Sequence, residues 1–190
     1  MPDNVNSLLQ PVGLKLLNLI ARSGGYRIET YAHGSSARER MDWYVVDKKL
    51  PTLIFYYGGN WRSGRRQDYR FVADTVCQMG LNVLLPDFPL YPAHRFAEII
   101  EGTVKATDYF IREVSTHAPI ILMGHSSGAQ KAALLTLDQS LLGSPDRIRA
   151  MIGIAGPYDF FPFTEDDHWD LFAPKENYPS SQPVNYVRST

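Results

Sequence analysis

The chain has 190 residues, 44% of them apolar, which is typical of one globular domain with a substantial hydrophobic core. Lysine and arginine total 19 against 20 for aspartate and glutamate, so neither sign of charge dominates, and nucleic acids and polyanionic substrates are not expected as partners. The single cysteine, Cys77, has no partner for a disulfide or a metal site, and we expect it to be a small buried apolar residue.

Residues 1–24 form a leucine-rich segment that is predicted to be a short amphipathic helix packed on the body of the protein. Polar residues and Pro11 interrupt its apolar run, and no basic residue precedes it, so it matches neither a transmembrane span nor a signal peptide. An anchor on a membrane surface is the alternative for this segment. We expect a cytoplasmic protein whose main domain comprises residues 25–190.

Apolar runs of strand length alternate with segments of helix length along residues 25–190. This alternation predicts an α/β domain with a mostly parallel sheet and helices on both faces. Strands are predicted at residues 26–31, 41–46, 52–57, 82–85, 120–123 and 150–154, and the first two are expected to pair as an antiparallel edge hairpin. Helices are predicted at residues 68–79, 95–114 and 127–137, and an irregular segment with a short helix near 166–172 follows residue 155.

A Gly-x-Ser-x-Gly motif, from Gly124 to Gly128, lies where the apolar run 120–123 turns directly into a helix of small residues. That position is typical of a nucleophile elbow, a strained turn that lifts a serine hydroxyl to the carboxyl end of the sheet. Side chains at the two glycines are expected to clash with the neighbouring strand and helix. Ser126 is therefore the predicted nucleophile, at a helix N-terminus whose dipole favours a developing oxyanion. His125 is expected to point away from it.

Paired glycines, Gly58 and Gly59, follow the predicted strand at 52–57 and precede Asn60. Paired glycines let backbone N–H groups converge on a carbonyl oxygen, although a tight turn would use them as well. Because the elbow lies downstream, we predict an oxyanion hole with one N–H from Gly59 or Asn60 and another from Ser127.

Four motifs occur in a fixed order, and they begin at Tyr57 (Tyr-Gly-Gly-Asn-Trp-Arg-Ser-Gly), Pro86 (Pro-Asp-Phe-Pro-Leu-Tyr-Pro), Gly124 (Gly-His-Ser-Ser-Gly-Ala) and Ala155 (Ala-Gly-Pro-Tyr-Asp-Phe). In these motifs the chain resembles the carboxylesterase and lipase branch of the α/β-hydrolases, similar to feruloyl-esterase-like and kynurenine-formamidase-like families. The resemblance implies hydrolysis of a small ester through an acyl-enzyme on Ser126. No cofactor or metal ion is expected, because no spacing of His or Cys suits a metal and no Gly-x-x-x-x-Gly-Lys motif appears. Such families commonly have histidine where this chain has Tyr57, a side chain that supports the loop while backbone groups bind.

The resemblance also implies a catalytic acid and then a histidine, which follow the seventh and eighth strands of such a sheet. Neither strand is recognisable, so the domain is expected to be incomplete and to lack its last two strands. Asp159 as the acid and His168 as the base are the candidates that the chain offers; the alternatives are a turn brace for Asp159 and a solvated loop position for His168. Without base and acid, a rate loss of order 10⁴ to 10⁶ is expected.

Two other functions remain open at this point: a truncated, inactive hydrolase-fold protein, or a module that binds a small ligand or a partner protein through the same pocket. The sixth strand would be an exposed edge that could pair with a second chain. Asp87, beyond the fourth strand, is predicted to support the site by a hydrogen bond. Four arginines near the paired glycines are predicted to form a solvated helix entrance or to contact an anionic substrate group: Arg62, Arg65, Arg66 and Arg70.

Overall fold

A computed structural model describes residues 3–21 and 24–187 as a six-stranded sheet flanked by helices. The strands are β1 (Arg27–Ala32), β2 (Arg40–Val45), β3 (Thr52–Tyr56), β4 (Asn82–Pro86), β5 (Ile120–His125) and β6 (Ile148–Ile154). The helices are α1 (Asp3–Ile20), α2 (Arg70–Gln78), α3 (Phe96–Tyr109), α4 (Ser127–Leu137) and the single turn α5 (His168–Leu171). A π-helical turn (Phe110–Val114) extends α3, so the helix predicted at 95–114 is present over nearly its full length.

The order of the strands across the sheet is β1-β2-β4-β3-β5-β6. Strand β2 runs antiparallel to both β1 and β4, whereas β4, β3, β5 and β6 run parallel to one another. The predicted edge hairpin and the predicted, mostly parallel sheet are both confirmed. The carboxyl ends of the parallel strands lie at one edge, where the segments that follow β3, β5 and β6 meet.

Neighbouring side chains on β3 show which helices cover which face of the sheet. Phe55 packs against Tyr69, directly before α2, with ring centroids 5.6 Å apart. The Tyr56 hydroxyl instead forms a 2.7 Å hydrogen bond with the hydroxyl of Thr107 on α3. Because successive residues of a strand point to opposite faces, α2 and α3 cover opposite faces of the sheet. Helix α1 packs beside α2, and α4 packs beside α3.

Helix α1 lies within the predicted N-terminal segment and is tied to the domain by Asn18. The amide nitrogen of Asn18 donates to the carbonyl oxygens of Gln67 and Asp68 at 3.1 and 2.9 Å, and its amide oxygen accepts from the Phe71 N–H at 3.0 Å. The Phe71 N–H lies in the first turn of α2, where the helix itself provides no acceptor, so Asn18 caps this helix as well as binding the turn before it. In the part of the chain that the structure describes, no helix is long and apolar enough to cross a membrane.

Strand β6 forms one edge of the described sheet, and only β5 pairs with it there. Ile152 and Ile154 of this strand are each 44% exposed. An exposed edge with apolar side chains is a template for pairing with another strand. The predicted self-association through the sixth strand stays a prediction, and we place it at residues 148–154.

Candidate active site

The turn between β5 and α4 places Ser126 at the carboxyl end of the sheet. Ser126 has φ 53° and ψ −127°, a backbone conformation that L-residues rarely adopt. Its N–H donates to the carbonyl oxygen of Ile154 at 2.8 Å, so the adjacent strand β6 holds the turn. The chain passes from the last residue of β5, through this one strained residue, into the first residue of α4, which is the geometry predicted for the elbow.

The two glycines of the elbow occupy positions where a side chain does not fit. A Cβ atom on Gly128 would lie 2.0 Å from the carbonyl oxygen of Tyr56, and one on Gly124 would lie 2.2 Å from the carbonyl oxygen of Gly128. Both distances are far inside van der Waals contact with backbone atoms. The spacing of the motif therefore has the steric reason that was expected for it.

The loop after β3 lies directly against the elbow. A Cβ atom on Gly58 would be 3.0 Å from the Cβ of Ser126, so the backbone of this glycine touches the predicted nucleophile. Gly59, Asn60 and Trp61 have φ angles of 132°, 51° and 59°, three positive values in succession. Such a run turns the backbone sharply and is characteristic of functional loops rather than of relaxed turns.

The same loop also contacts the start of α4. The backbone N–H of Trp61 lies 3.4 Å from the hydroxyl oxygen of Ser127 and donates to it. The residues predicted to supply the two oxyanion donors, Gly59 or Asn60 and Ser127, thus belong to backbone segments in direct contact. Their roles as donors stay a prediction.

Ser126 lines a cavity of about 400 Å³ together with Asn60 and His168. The remaining lining residues are Trp61, Ala155, Gly156, Pro157, Phe160 and Thr164. The structure therefore brings together the predicted nucleophile, an oxyanion-loop residue and the candidate base. His125 instead lines a cavity under α1, together with Phe55 and Met123, so it points to the other face of the sheet, as expected.

Aromatic rings surround His168. Its ring meets those of Trp61, Phe172 and Phe163 edge-on, with centroids 5.5, 5.7 and 6.1 Å apart. Nε2 is buried and has no hydrogen-bond partner among residues 3–21 and 24–187. His168 is thus half-buried rather than a solvated loop residue. Burial lowers its pKa, so at pH 7 the imidazole is mainly neutral and can accept a proton.

Asp159 lies apart from this group. It lines a separate cavity of about 390 Å³ that also contains Lys175 and Tyr178. Within the described ranges, no hydrogen bond joins Asp159 to His168. The structure therefore places the candidate base in the same cavity as Ser126, without a hydrogen bond between the two, and does not bring the candidate acid to that base.

A largely buried ionic cluster supports the start of the loop after β3, the loop predicted to supply an oxyanion-hole donor. Asp87, only 3% exposed, accepts from the Tyr57 hydroxyl at 2.8 Å, and from the backbone N–H and Nη1 of Arg66 at 2.8 and 2.6 Å. Nε of Arg66 donates to Asp42 at 2.9 Å. Because Tyr57 directly precedes Gly58, these bonds fix the point where the loop leaves the sheet. This geometry agrees with the supporting role predicted for Asp87.

The arginines near the loop are paired more closely than a solvated helix entrance implies. Arg66 lies between Asp42 and Asp87 with only 11% of its side chain exposed, so the prediction of a solvated side chain is wrong there. Arg62 pairs with Asp167, and Arg65 pairs with Asp68. Two of the five guanidinium N–H donors of Arg66 are thus bonded to Asp42 and Asp87. Contact of these arginines with an anionic substrate group stays a prediction.

We expect Asp87→Asn to lower the free energy of unfolding by about 2 kcal/mol, because it removes one of the two carboxylates that compensate the buried Arg66 guanidinium. Urea denaturation at neutral pH measures this change. Asp146→Asn is the matched control, since Asp146 is exposed, and its effect should stay within about 0.5 kcal/mol. Equal effects of the two substitutions would contradict the supporting role of Asp87.

Gln130 is a site residue that the sequence analysis missed. Fully buried on α4, it accepts from the Trp61 indole N–H at 2.8 Å and donates to the carbonyl oxygen of Ser181 at 2.7 Å. The next residue, Gln182, accepts from the Phe160 N–H at 2.8 Å. These bonds connect the loop after β3, helix α4 and the last described segment. The available signal was a long polar side chain among the small and apolar residues of α4.

Comparison with known proteins agrees with this architecture. The BD-FAE family model matches residues 41–189. The kynurenine formamidase of Salmo salar is 25% identical over 134 residues, which cover 68% of this chain and 46% of that protein. The isoprenylcysteine α-carbonyl methylesterase of Arabidopsis thaliana is 22% identical over 151 residues, or 72% of this chain and 35% of that protein. The chain spans about half the length, or less, of these curated relatives.

Among solved structures, esterase B from Lactobacillus rhamnosis matches 96% of this chain and 69% of its own chain, with a TM-score of 0.76 at 15% sequence identity. A likeness at this level of identity shows the fold, and it confirms the predicted α/β-hydrolase fold. The family model covers well over half of the residues. The chain therefore belongs to the BD-FAE family, a carboxylesterase-type family of α/β-hydrolases.

Proposed function

We propose that this chain is a serine-type carboxylic-ester hydrolase that acts on a small ester through an acyl-enzyme on Ser126. The observation that carries the proposal is the position of Ser126, on a strained turn at the mouth of a cavity that also holds Asn60 and His168. The esterase and methylesterase names of related proteins support an ester as the class of substrate.

In the proposed reaction, the Ser126 hydroxyl oxygen attacks the ester carbonyl carbon while its proton passes to a base. The charge that develops on the carbonyl oxygen is stabilised by the N–H of Gly59 or Asn60, by that of Ser127 and by the N-terminal end of α4. Collapse of the tetrahedral intermediate breaks the bond to the alcohol, which takes up the proton. Water then attacks the acyl-enzyme and releases the acid.

His168 is the base that we propose for the described part of the chain. It is the titratable side chain among the described residues that line the cavity, and its lowered pKa keeps it able to accept the serine proton at pH 7. Aromatic packing, rather than a carboxylate, orients its ring. Removing the orienting acid of a complete triad costs a factor of about 10⁴ in turnover, so we expect slow hydrolysis.

The test is covalent labelling of the folded chain with a fluorophosphonate probe, measured by intact mass. We expect one label per chain in the wild type and none in Ser126→Ala, because the probe bonds to an activated serine oxygen. Ser35→Ala is the matched control, since Ser35 is exposed and outside the cavity, and it should label like the wild type. His168→Gln should slow labelling by a factor of about 10² or more if His168 is the base.

Other results of the labelling experiment would change the assigned base or overturn the proposal. Labelling that is unchanged in His168→Gln would assign the base to another group while keeping Ser126 as the nucleophile. A folded wild-type chain that takes up no label would overturn the proposal and favour an inactive or ligand-binding hydrolase fold. Turnover of p-nitrophenyl acetate that is lost with Ser126→Ala would extend the result from labelling to ester hydrolysis.

A further inference from the structure

Helix α4 carries a buried lysine that the proposed reaction does not use. Lys131 lies one helical turn after Ser127, and its side chain is 0% exposed. In the described part of the chain, no carboxylate pairs with its amino group. Burying a lysine without a paired charge is costly, and an unbranched apolar side chain would fill the same space without that cost. The contacts of the amino group therefore call for an explanation.

Two contacts define the position of the Lys131 amino group. Nζ donates to the carbonyl oxygen of Ser127 at 3.2 Å, and it lies 4.6 Å from the centre of the Phe88 ring. The Phe88 ring is itself held in place, because it stacks on the Tyr57 ring with ring centroids 4.5 Å apart. Two titratable residues adjoin Phe88: Tyr57, on which its ring stacks, and Asp87, which precedes it in the chain. The Tyr57 hydroxyl donates a hydrogen bond to Asp87.

The partner of Lys131 is a residue of the proposed oxyanion hole. Ser127 is held at two atoms: its hydroxyl oxygen accepts from the Trp61 N–H, and its carbonyl oxygen accepts from Lys131. The backbone N–H of Ser127 is the group proposed to face the oxyanion. Fixing the carbonyl and the hydroxyl of one residue restricts rotation of the first turn of α4 and so fixes the direction of that N–H.

We propose that Lys131 is a positioning residue of the oxyanion hole, which acts through Ser127 and does not touch the substrate. The inference rests on the proposed function, since the direction of the Ser127 N–H affects a rate only if Ser126 is acylated. Preorganised donors contribute to catalysis because they need no rearrangement when the charge develops. A donor whose direction varies loses part of that contribution.

The test compares three variants with the wild type. Lys131→Met removes the amino group at nearly constant volume, Lys131→Gln keeps an N–H donor on a shorter chain, and Leu134→Met changes a buried side chain of the same helix as the control. Two quantities are measured for each: the fluorophosphonate labelling rate, separated into probe affinity and maximal rate, and the hydrogen-exchange rate of the Ser127 amide by NMR.

We expect Lys131→Met to lower the maximal labelling rate by a factor of about 10 with little change in probe affinity, because the loss is confined to the transition state. The Ser127 amide should exchange at least about 10 times faster, since the first turn of α4 opens more readily. Lys131→Gln should restore most of both quantities, and Leu134→Met should leave both unchanged.

Equal behaviour of Lys131→Met and Leu134→Met would overturn the inference. The two proposals fail separately. If the folded wild-type chain takes up no label, the proposed function is refuted. The hydrogen-exchange rate of the Ser127 amide then still tests whether Lys131 holds Ser127. Unchanged exchange in Lys131→Met shows that Lys131 does not hold Ser127, whereas faster exchange that Lys131→Gln reverses supports the contact.

Discussion

Replacement of Gly128 by alanine is expected to abolish stable folding of the domain. The new Cβ would lie 2.0 Å from the carbonyl oxygen of Tyr56 and 2.6 Å from that of Tyr57. Relief requires separating α4 from β3 by more than about 1 Å in a close-packed interior. Strand β3 cannot retreat, because it is hydrogen-bonded between β4 and β5. We expect a cost above about 5 kcal/mol, comparable to the whole stability of many domains.

Circular dichroism and urea denaturation of Gly128→Ala measure this effect. Gly143→Ala is the matched control, since a Cβ there would be 3.7 Å from the nearest atom, a carboxylate oxygen of Asp108, in ordinary contact. The control should stay within about 1 kcal/mol of the wild type. If Gly128→Ala were equally stable, the close approach of α4 to β3 would be wrong, and with it the described geometry of the elbow.

Lys131→Met is expected to raise the free energy of unfolding at neutral and acidic pH, and to lower it slightly at alkaline pH. Burial lowers the pKa of Lys131 to about 7, whereas a lysine of the unfolded chain titrates near about 10.4. Between these values the unfolded chain binds more protons, so the stability of the wild type falls as the pH drops from about 10 to about 7. The difference between the two pKa values corresponds to a loss of roughly 5 kcal/mol in the free energy of unfolding of the wild type. This loss is fully present below about pH 7 and absent above about pH 10.4.

The methionine variant avoids this cost but loses the hydrogen bond to Ser127, which stabilises by about 1 kcal/mol. We therefore expect a net gain of roughly 4 kcal/mol at about pH 6 and a small loss above about pH 10. Urea denaturation at the two pH values measures both. Lys49→Met, at an exposed position, should show no such dependence. If Lys131→Met raised the free energy of unfolding equally at both pH values, the result would contradict the burial of Lys131 as a neutral amine.

A more stable variant that labels more slowly would show that the lysine serves the site at the expense of the fold. Natural proteins commonly trade stability for a strained or costly group at a functional site. The measurements of stability and labelling are independent, so this trade can be tested directly. The strained φ of Ser126 belongs to the same class of cost.

The elements that position Ser126 could be predicted because their signals are local. The apolar run at 120–123, the glycines of the elbow and the following run of small residues are adjacent in the sequence, and together they indicate a buried strand, a tight turn and a helix in direct succession. The same holds for Gly58 and Gly59, where glycine next to a buried strand indicates close approach of the backbone. Only the structure shows which atoms these glycines contact.

The proximity of His168 to Ser126 could not be predicted in the same way. The segment from 155 to 168 has no helical or strand period, and its path depends on long-range packing of Phe163 and Phe172 against one another and around Trp61. Lys131 was missed for a different reason. A lysine on a helix is usually exposed, and only the packing of Phe88 against α4 shows that this one is buried.

The hydrogen bonds of Gln130 couple the last described segment to the loop after β3 that contains Trp61. If the segment around Ser181 detaches, the buried amide loses a partner that water would have to replace, and its hold on Trp61 weakens with it. A molecule that steadies Trp61 must, by the same free energy, steady the segment around Ser181, 51 residues away from Gln130. Firm packing of the segment around Ser181 is therefore expected to favour binding of any molecule that steadies Trp61.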